Sequence, residues 1–305
     1  MISEEQIKGL IQAHNDKNEE KFKSIVLKLA EDEAIVDQLA FSQELKNLAE
    51  SNRKTPTVLL NQIQKSHIIT KYEPEDNLSD LIVSTDIHDR IRRLLNEYRN
   101  SQKFKAYGRS SRRKILFEGN KGTGKTYTAS VIASELNLPL YVVQMDKMVL
   151  KYMGETSSKL RNLFNSINTS KGVYLFDELD RFFIIDKNFL TAFLQFIEQD
   201  FSNSIIIIIT NNKNLIANSS LKTFDDVLYF NMPSQEEIEH IYKSKLSHFQ
   251  EDFVASSQLI FQSQRLSHSE IVKVCDEIIK ETILPGSKLS QARILSLVKE
   301  KASLF

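Results

Sequence analysis

The 305-residue sequence predicts an α/β fold: a parallel sheet flanked by helices, with a helical region before it and a helical lid after it. Three observations predict this. Short apolar runs alternate with helix-length segments between residues 87 and 230, and the runs lack the polar alternation of a half-exposed sheet, as expected of strands covered on both faces. Three of the chain's eight glycines, Gly119, Gly122 and Gly124, fall within one short stretch directly after such a run, where the backbone must turn tightly and approach something closely. After Pro233 only helical spacing remains.

Taken in order, residues 1–50 read as an N-terminal helical region. Ile7, Leu10 and Ile11, then Phe22, Ile25, Val26 and Leu29, then Val36, Leu39, Ala40, Leu45 and Leu48 recur at helical spacing. Residues 51–76, polar and carrying Pro56 and Pro74, read as a linker with an apolar patch at Val58 to Ile63. Residues 77–232 read as the α/β domain. Its strands are predicted at Ile115–Phe117, Leu140–Val143, Val173–Phe176, Ile205–Ile209 and Val227–Phe230. Its helices are predicted at Ile87–Tyr98, Thr126–Leu136, Ser157–Ser166 and Phe189–Glu198. Residues 233–305 read as the lid, with helices at Glu236–Leu246, Ser269–Glu281 and Gln291–Lys301.

Bulk composition excludes several classes. Forty basic residues balance forty acidic ones, so net charge argues for neither a nucleic-acid nor an acidic-membrane partner. The stretch Asp89–Lys114 is locally basic, ten residues against two acids, and reads as a solvated helix face balanced by acids elsewhere. One cysteine, Cys275, cannot make an internal disulfide and excludes a cysteine metal cage, which fits a reducing compartment. The acidic start, Met1-Ile2-Ser3-Glu4-Glu5, lacks the basic flank and apolar stretch of a secretory signal, and no run reaches the length of a membrane span. A cytoplasmic globular protein is expected.

The chemistry lies in three segments. Gly119-Asn120-Lys121-Gly122-Thr123-Gly124-Lys125-Thr126 matches G-x-x-x-x-G-K-[ST], between a predicted strand and a predicted helix. In such a loop the glycines let backbone N–H groups turn inward around phosphate oxygens, the lysine reaches the outer phosphates, the hydroxyl takes a Mg²⁺ position, and the helix N-terminus faces the anion. Val173-Tyr174-Leu175-Phe176-Asp177-Glu178 ends an apolar strand in two carboxylates, at the end where open α/β sheets hold ligands. Asp177 suits the metal and Glu178 suits a general base acting on water. After Ile205–Ile209 come Thr210 and Asn211, an amide suited to holding the lytic water or reporting the terminal phosphate.

This succession, with a lid behind it, resembles the AAA+ ATPases, over about residues 76–303. It is most similar to the AAA branch that includes katanin, spastin and the membrane-scission ATPases, and within it to a bacterial group with a short helical N-terminal region, often found beside subtilisin-like proteases. Lys151-Tyr152-Met153-Gly154-Glu155-Thr156, then Leu160-Arg161-Asn162-Leu163-Phe164, resembles that branch's first pore loop and its helix. The resemblance implies that Tyr152, flanked by Lys151 and Met153, grips a translocating peptide. Leu266–Ile271 resembles the second-sensor helix start, and Leu78–Ile82 the segment lying along adenine. The implied ATP-binding set is Asp80, Leu81, Ile82, Lys121, Gly122, Thr123, Gly124, Lys125, Thr126, Tyr127 and His268, with Thr126 and Asp177 on Mg²⁺ and with Glu178, Lys125 and Asn211 catalytic.

Two departures stand against the family pattern. Where an arginine enters the neighbouring subunit's site, this chain has Ser219-Ser220-Leu221-Lys222-Thr223-Phe224-Asp225-Asp226, so either Lys222 substitutes weakly, as a point charge that cannot fork across two oxygens, or another residue acts, or hydrolysis is slow. Between the Asp-Glu strand and the next helix lie only Arg181–Asn188, in place of the family's longer second pore loop. The resemblance implies an ATP-driven mechanoenzyme that remodels or unfolds a protein partner, assembles as a homo-oligomeric ring or hexamer, and works with an adaptor or a subtilisin-like protease. The missing arginines support an alternative, a nucleotide-gated binding module with little hydrolysis.

Overall fold

The computed structural model describes residues 68–145, 156–177, 179, 187–211, 220–247, 249, 253–283 and 290–303. The helices expected in residues 1–50 lie outside this set.

Six strands form one sheet: β1 (Ile69–Tyr72), β2 (Lys114–Gly119), β3 (Leu140–Val143), β4 (Val173–Phe176), β5 (Ile205–Thr210) and β6 (Asp226–Phe230), in the order β1-β3-β4-β5-β2-β6. All neighbours run parallel except the edge pair β1–β3. The five strands read from the sequence are therefore present. β1 is a correction, because it lies inside the stretch expected to be linker. Four residues with a single buried one, Ile69, are too short to show a period, and pairing with β3 makes them a strand.

The alternation hidden in the apolar runs appears once the two faces are separated. Ile115, Phe117, Val173, Leu175, Ile205, Ile207 and Ile209 turn to helices α1 (Thr85–Arg99) and α3 (Lys125–Glu135). Leu116, Tyr174, Phe176, Ile206 and Ile208 turn to α4 (Thr156–Thr169) and α5 (Lys187–Glu198), meeting Leu160, Leu163, Phe164, Phe193 and Ile197. Every residue of β4 and β5 is buried. A side chain so covered contributes roughly 1.5–3 kcal/mol relative to exposure, so both faces of these strands stabilise the layering.

A short helix α2 (Ser101–Ala106) follows α1, and four helices after Pro233 enclose a core of their own: α6 (Gln235–Leu246), α7 (Ser257–Ser263), α8 (His268–Ile283) and α9 (Gln291–Ala302). Ile238, Tyr242, Leu259, Ile271, Val274, Ile294 and Val298 fill that core. α6 starts at a reciprocal capping box, Ser234 with Glu237. α7 was not legible from spacing, since its seven residues bury only Leu259 and Ser263; Ser256 caps it by accepting from the Leu259 N–H. No described helix is long and apolar enough to cross a membrane.

Four of the ten basic residues in the Asp89–Lys114 stretch pair with carboxylates among the described residues. Arg90 meets Asp86 and Asp226, Arg99 meets Glu135, and Arg112 meets Glu97 and Asp226. Arg113 donates to Asp200 Oδ2 at 2.8 Å, and that carboxylate, whose side chain is 0% exposed, also accepts from the Ser202 hydroxyl. A buried carboxylate that loses its cation keeps its desolvation cost. Arg113→Ala is therefore expected to lower unfolding free energy by about 3–5 kcal/mol, measured by urea denaturation; a loss within the scatter of surface variants would contradict this burial argument.

Candidate functional site

The phosphate-loop match occupies the turn from β2 into α3, the local structure its glycines and following helix predict. Gly122 (φ +82°) and Gly124 (φ +96°) stand in left-handed backbone that side-chain-bearing residues rarely adopt. Gly124 is the N-cap of α3, and no side chain caps that helix start among the described residues. Its positive end thus faces the loop without a protein carboxylate in the capping position.

Inside the turn, Lys125 is 5% exposed and its ammonium donates to the carbonyls of Gly119 (2.7 Å) and Asn120 (2.6 Å). Thr123, buried, donates its hydroxyl to Asn120 O at 2.8 Å and closes the turn. Lys121 is exposed.

Sheet order brings the second element to this loop. β5 separates β2 from β4; Phe117 lies opposite Ile209, and Phe176 opposite Ile208, so the carboxyl ends of all three strands meet at one edge. Across that edge the Thr126 hydroxyl donates to Asp177 Oδ2 at 3.0 Å, joining residues 51 positions apart. Asn211 follows β5 between them and is exposed. A hydroxyl and a carboxylate oxygen are the hard donors a Mg²⁺ ion prefers, so the residues present fit that ion. Glu178 lies outside the described residues, as do Lys151, Tyr152 and Met153 and residues 181–186 of the Arg181–Asn188 segment, whose last two residues belong to α5. Lys222 is exposed on a 3-10 turn, Ser220–Thr223. Phe224 beside it enters the core, while Asp225 Oδ2 accepts from the backbone N–H groups of Arg113 and Lys114 and pins the start of β2.

Beyond the loop a cavity of about 660 Å³ runs between the sheet and the lid. Leu81 and Ile82 line it with Thr123, Phe230, Met232, Glu237 and His268, so the expected adenine segment, the phosphate loop and the lid share one space. Asp80, by contrast, is exposed and does not line it. Nor does Tyr127, whose partly exposed phenol is raised above its ordinary pKa chiefly by burial, then by Asp76 and Asp80. Glu237 at the cavity wall was not anticipated; its capping-box spacing from Ser234 was the available signal.

His268, the first residue of α8, is the unusual member. Neither ring nitrogen has a hydrogen-bond partner among the described residues, and the nearest charge, Glu237 Oε2, is 3.8 Å from Nε2. Burial lowers the imidazole pKa below its ordinary 6.5, opposed by Glu237. The sign follows: as pH falls through the ordinary value the unfolded chain takes up this proton first, so stability is lost towards the folded pKa. His268→Gln should therefore flatten part of the acid-side decline. Melting temperatures between about pH 7.5 and 5 are expected to fall more steeply for wild type than for this variant; parallel declines would contradict it.

A family model described as "ATPase family associated with various cellular activities (AAA)" matches residues 115–232. The AAA family ATPase y4kL of Sinorhizobium fredii is 28% identical, over 85% of this chain and 87% of that protein. The ATP-dependent zinc metalloprotease FtsH 3 of Phytoplasma mali is 32% identical over 38% of this chain, but this chain spans only 20% of that protein. A crystal structure of the FIGL-1 AAA domain superposes with a TM-score of 0.59, at 17% identity, covering 80% of this chain and 88% of that one. The same domain in complex with ADP gives 0.63, covering 79% and 89%. The family model places an AAA domain over residues 115–232, and the glycine loop, the parallel strand order and the FIGL-1 likeness agree with the fold of such a domain.

Proposed function

We propose that this chain binds Mg·ATP, hydrolyses it, and uses the turnover to remodel or unfold a protein partner. One observation carries the reading: Thr126 and Asp177 meet at 3.0 Å beside a buried lysine held within the phosphate-type loop. In this reading Lys125 exchanges the carbonyls of Gly119 and Asn120 for phosphate oxygens, an exchange between acceptors that leaves the buried charge paired. Thr126 and Asp177 would hold Mg²⁺, which offsets charge on the phosphates when bound. Glu178 takes the proton of the attacking water, and Asn211 orients that water. The loop from Lys121 to Thr126, with Tyr127 beside it, cradles the phosphates. Leu81, Ile82 and His268 receive the nucleoside end, with Asp80 at its margin.

Residues 77–232, with β1 added to their sheet, would then be the nucleotide-binding domain and 233–305 the lid, joined through the part of the expected linker that precedes β1 to N-terminal helices that recruit a substrate or adaptor, such as a subtilisin-like protease, in the cytoplasm. Tyr152, with Lys151 and Met153, would grip the substrate in a homo-oligomeric ring. The ion pairs that occupy Arg90, Arg99, Arg112 and Arg113 argue against a nucleic-acid surface there.

A second reading is a nucleotide-gated binding module with little turnover. Lys222 and Thr223, standing where the family carries arginines, favour it, because an arginine supplied between subunits contributes about 10³–10⁵ in rate where it is used. Calorimetry and phosphate release together separate the readings. Lys125→Ala is expected to weaken Mg·ATP uptake by about 100-fold or more, consistent with losing charge-assisted bonds in a dry site. Glu178→Gln is expected to keep uptake and lose phosphate release. Equal, slow release by wild type and Glu178→Gln at saturating ATP would leave only the gated module, and unchanged uptake by Lys125→Ala would remove both.

A further inference from the structure

The phosphate-type loop is held from the lid side by contacts that the loop's own motif does not include. The Ser269 backbone N–H donates to Gly122 O at 2.9 Å. Ser269 is in the first turn of α8, where helical N–H groups have no partner within the helix, so the loop supplies what the lid helix lacks. A Cβ on Gly122 would overlap the hydroxyls of both Ser267 and Ser269, and would come within 2.9 Å of Ser267 Cβ. The lid thus fills the space that the missing side chain leaves.

That turn is braced on its other side. Ser267, 4% exposed, donates from both its backbone N–H (2.7 Å) and its hydroxyl (2.8 Å) to Glu270 Oε2. Three residues further in, α8 is anchored through Ile271, Val274, Cys275 and Ile278 in the lid core. Between the two serines stands His268, at the wall of the cavity that the loop's Thr123 also lines.

We propose that Ser269, braced by Ser267, is a positioning residue for the phosphate-binding loop: its main-chain N–H clamps Gly122, so the loop is set to receive an anion only while the lid is seated. The inference rests on the nucleotide reading above and specifies its regulation. Seating the lid and ordering the loop are then one equilibrium, and a ligand that favours the ordered loop must favour the seated lid by the same factor.

Inorganic tripolyphosphate is the probe, because it carries the phosphates without a base to touch the lid. In wild type with Mg²⁺, saturating tripolyphosphate is expected to slow amide hydrogen exchange across residues 267–271. Ser269→Pro removes the N–H at a first-turn position that tolerates proline, and should weaken tripolyphosphate and ATP alike by about tenfold, the loss of roughly one hydrogen bond. Ser269→Ala keeps the N–H and should bind tripolyphosphate within about twofold of wild type. Unchanged exchange in tripolyphosphate-loaded wild type overturns the clamp, and so does a folded Ser269→Pro that binds both probes like wild type. If Ser269→Pro does not fold, the exchange experiment decides alone. Wild type that takes up neither probe overturns the nucleotide reading, and the clamp with it.

Discussion

A threonine hydroxyl and an aspartate carboxylate, 51 positions apart in sequence and 3.0 Å apart in space, mark the point on which the site depends. Nothing local brings them together. Thr126 is in the first turn of the helix after β2 and Asp177 directly follows β4, so their meeting requires β4, β5 and β2 to lie side by side with carboxyl ends level. The force behind that alignment is apolar burial. The isoleucines of β5 are covered on both faces, alternately by α1 and α3 and by α4 and α5. A one-residue slip would exchange the two faces and misalign the ends. The chemistry at the edge is set by packing well behind it.

The second constraint is charge in a dry place. Lys125 is buried, and a buried ammonium is tolerable only when its donors are satisfied. The loop that holds it contributes main-chain carbonyls, at Gly119 and Asn120, as acceptors for the ammonium. The α3 N-terminus beside it lacks a side-chain cap among the described residues, so its positive end faces the loop, as in anion-receiving turns. The lid completes the same turn from outside by filling the space over Gly122. Loop, sheet edge and lid therefore share one small set of main-chain groups.

How much of this could be read beforehand varied with the range of the interaction. Strands β2 to β6 and most long helices announced themselves, because each is long enough to show its period or its unbroken apolar run. β1 and α7 did not. Four residues of β1 become a strand only through β3, and α7 buries too little of itself to leave a pattern. Lys125, Thr126 and Asp177 were legible because their motifs are local. Glu237 was not, and the resemblance that marked Leu266–Ile271 did not show Ser267 and Ser269 closing over Gly122, since both depend on neighbours that are distant in sequence.

The sequence by itself determined the alternation of apolar runs with helical stretches, the glycine-rich turn and the carboxylates that end a buried strand, because each depends on residues within one or two turns of each other. Tertiary structure alone decided which strand ends would meet, where Leu81 and His268 would share a cavity, and that the start of α8 would close over Gly122. Those outcomes depend on packing and on hydrogen bonds between segments far apart along the chain, which a local pattern does not encode.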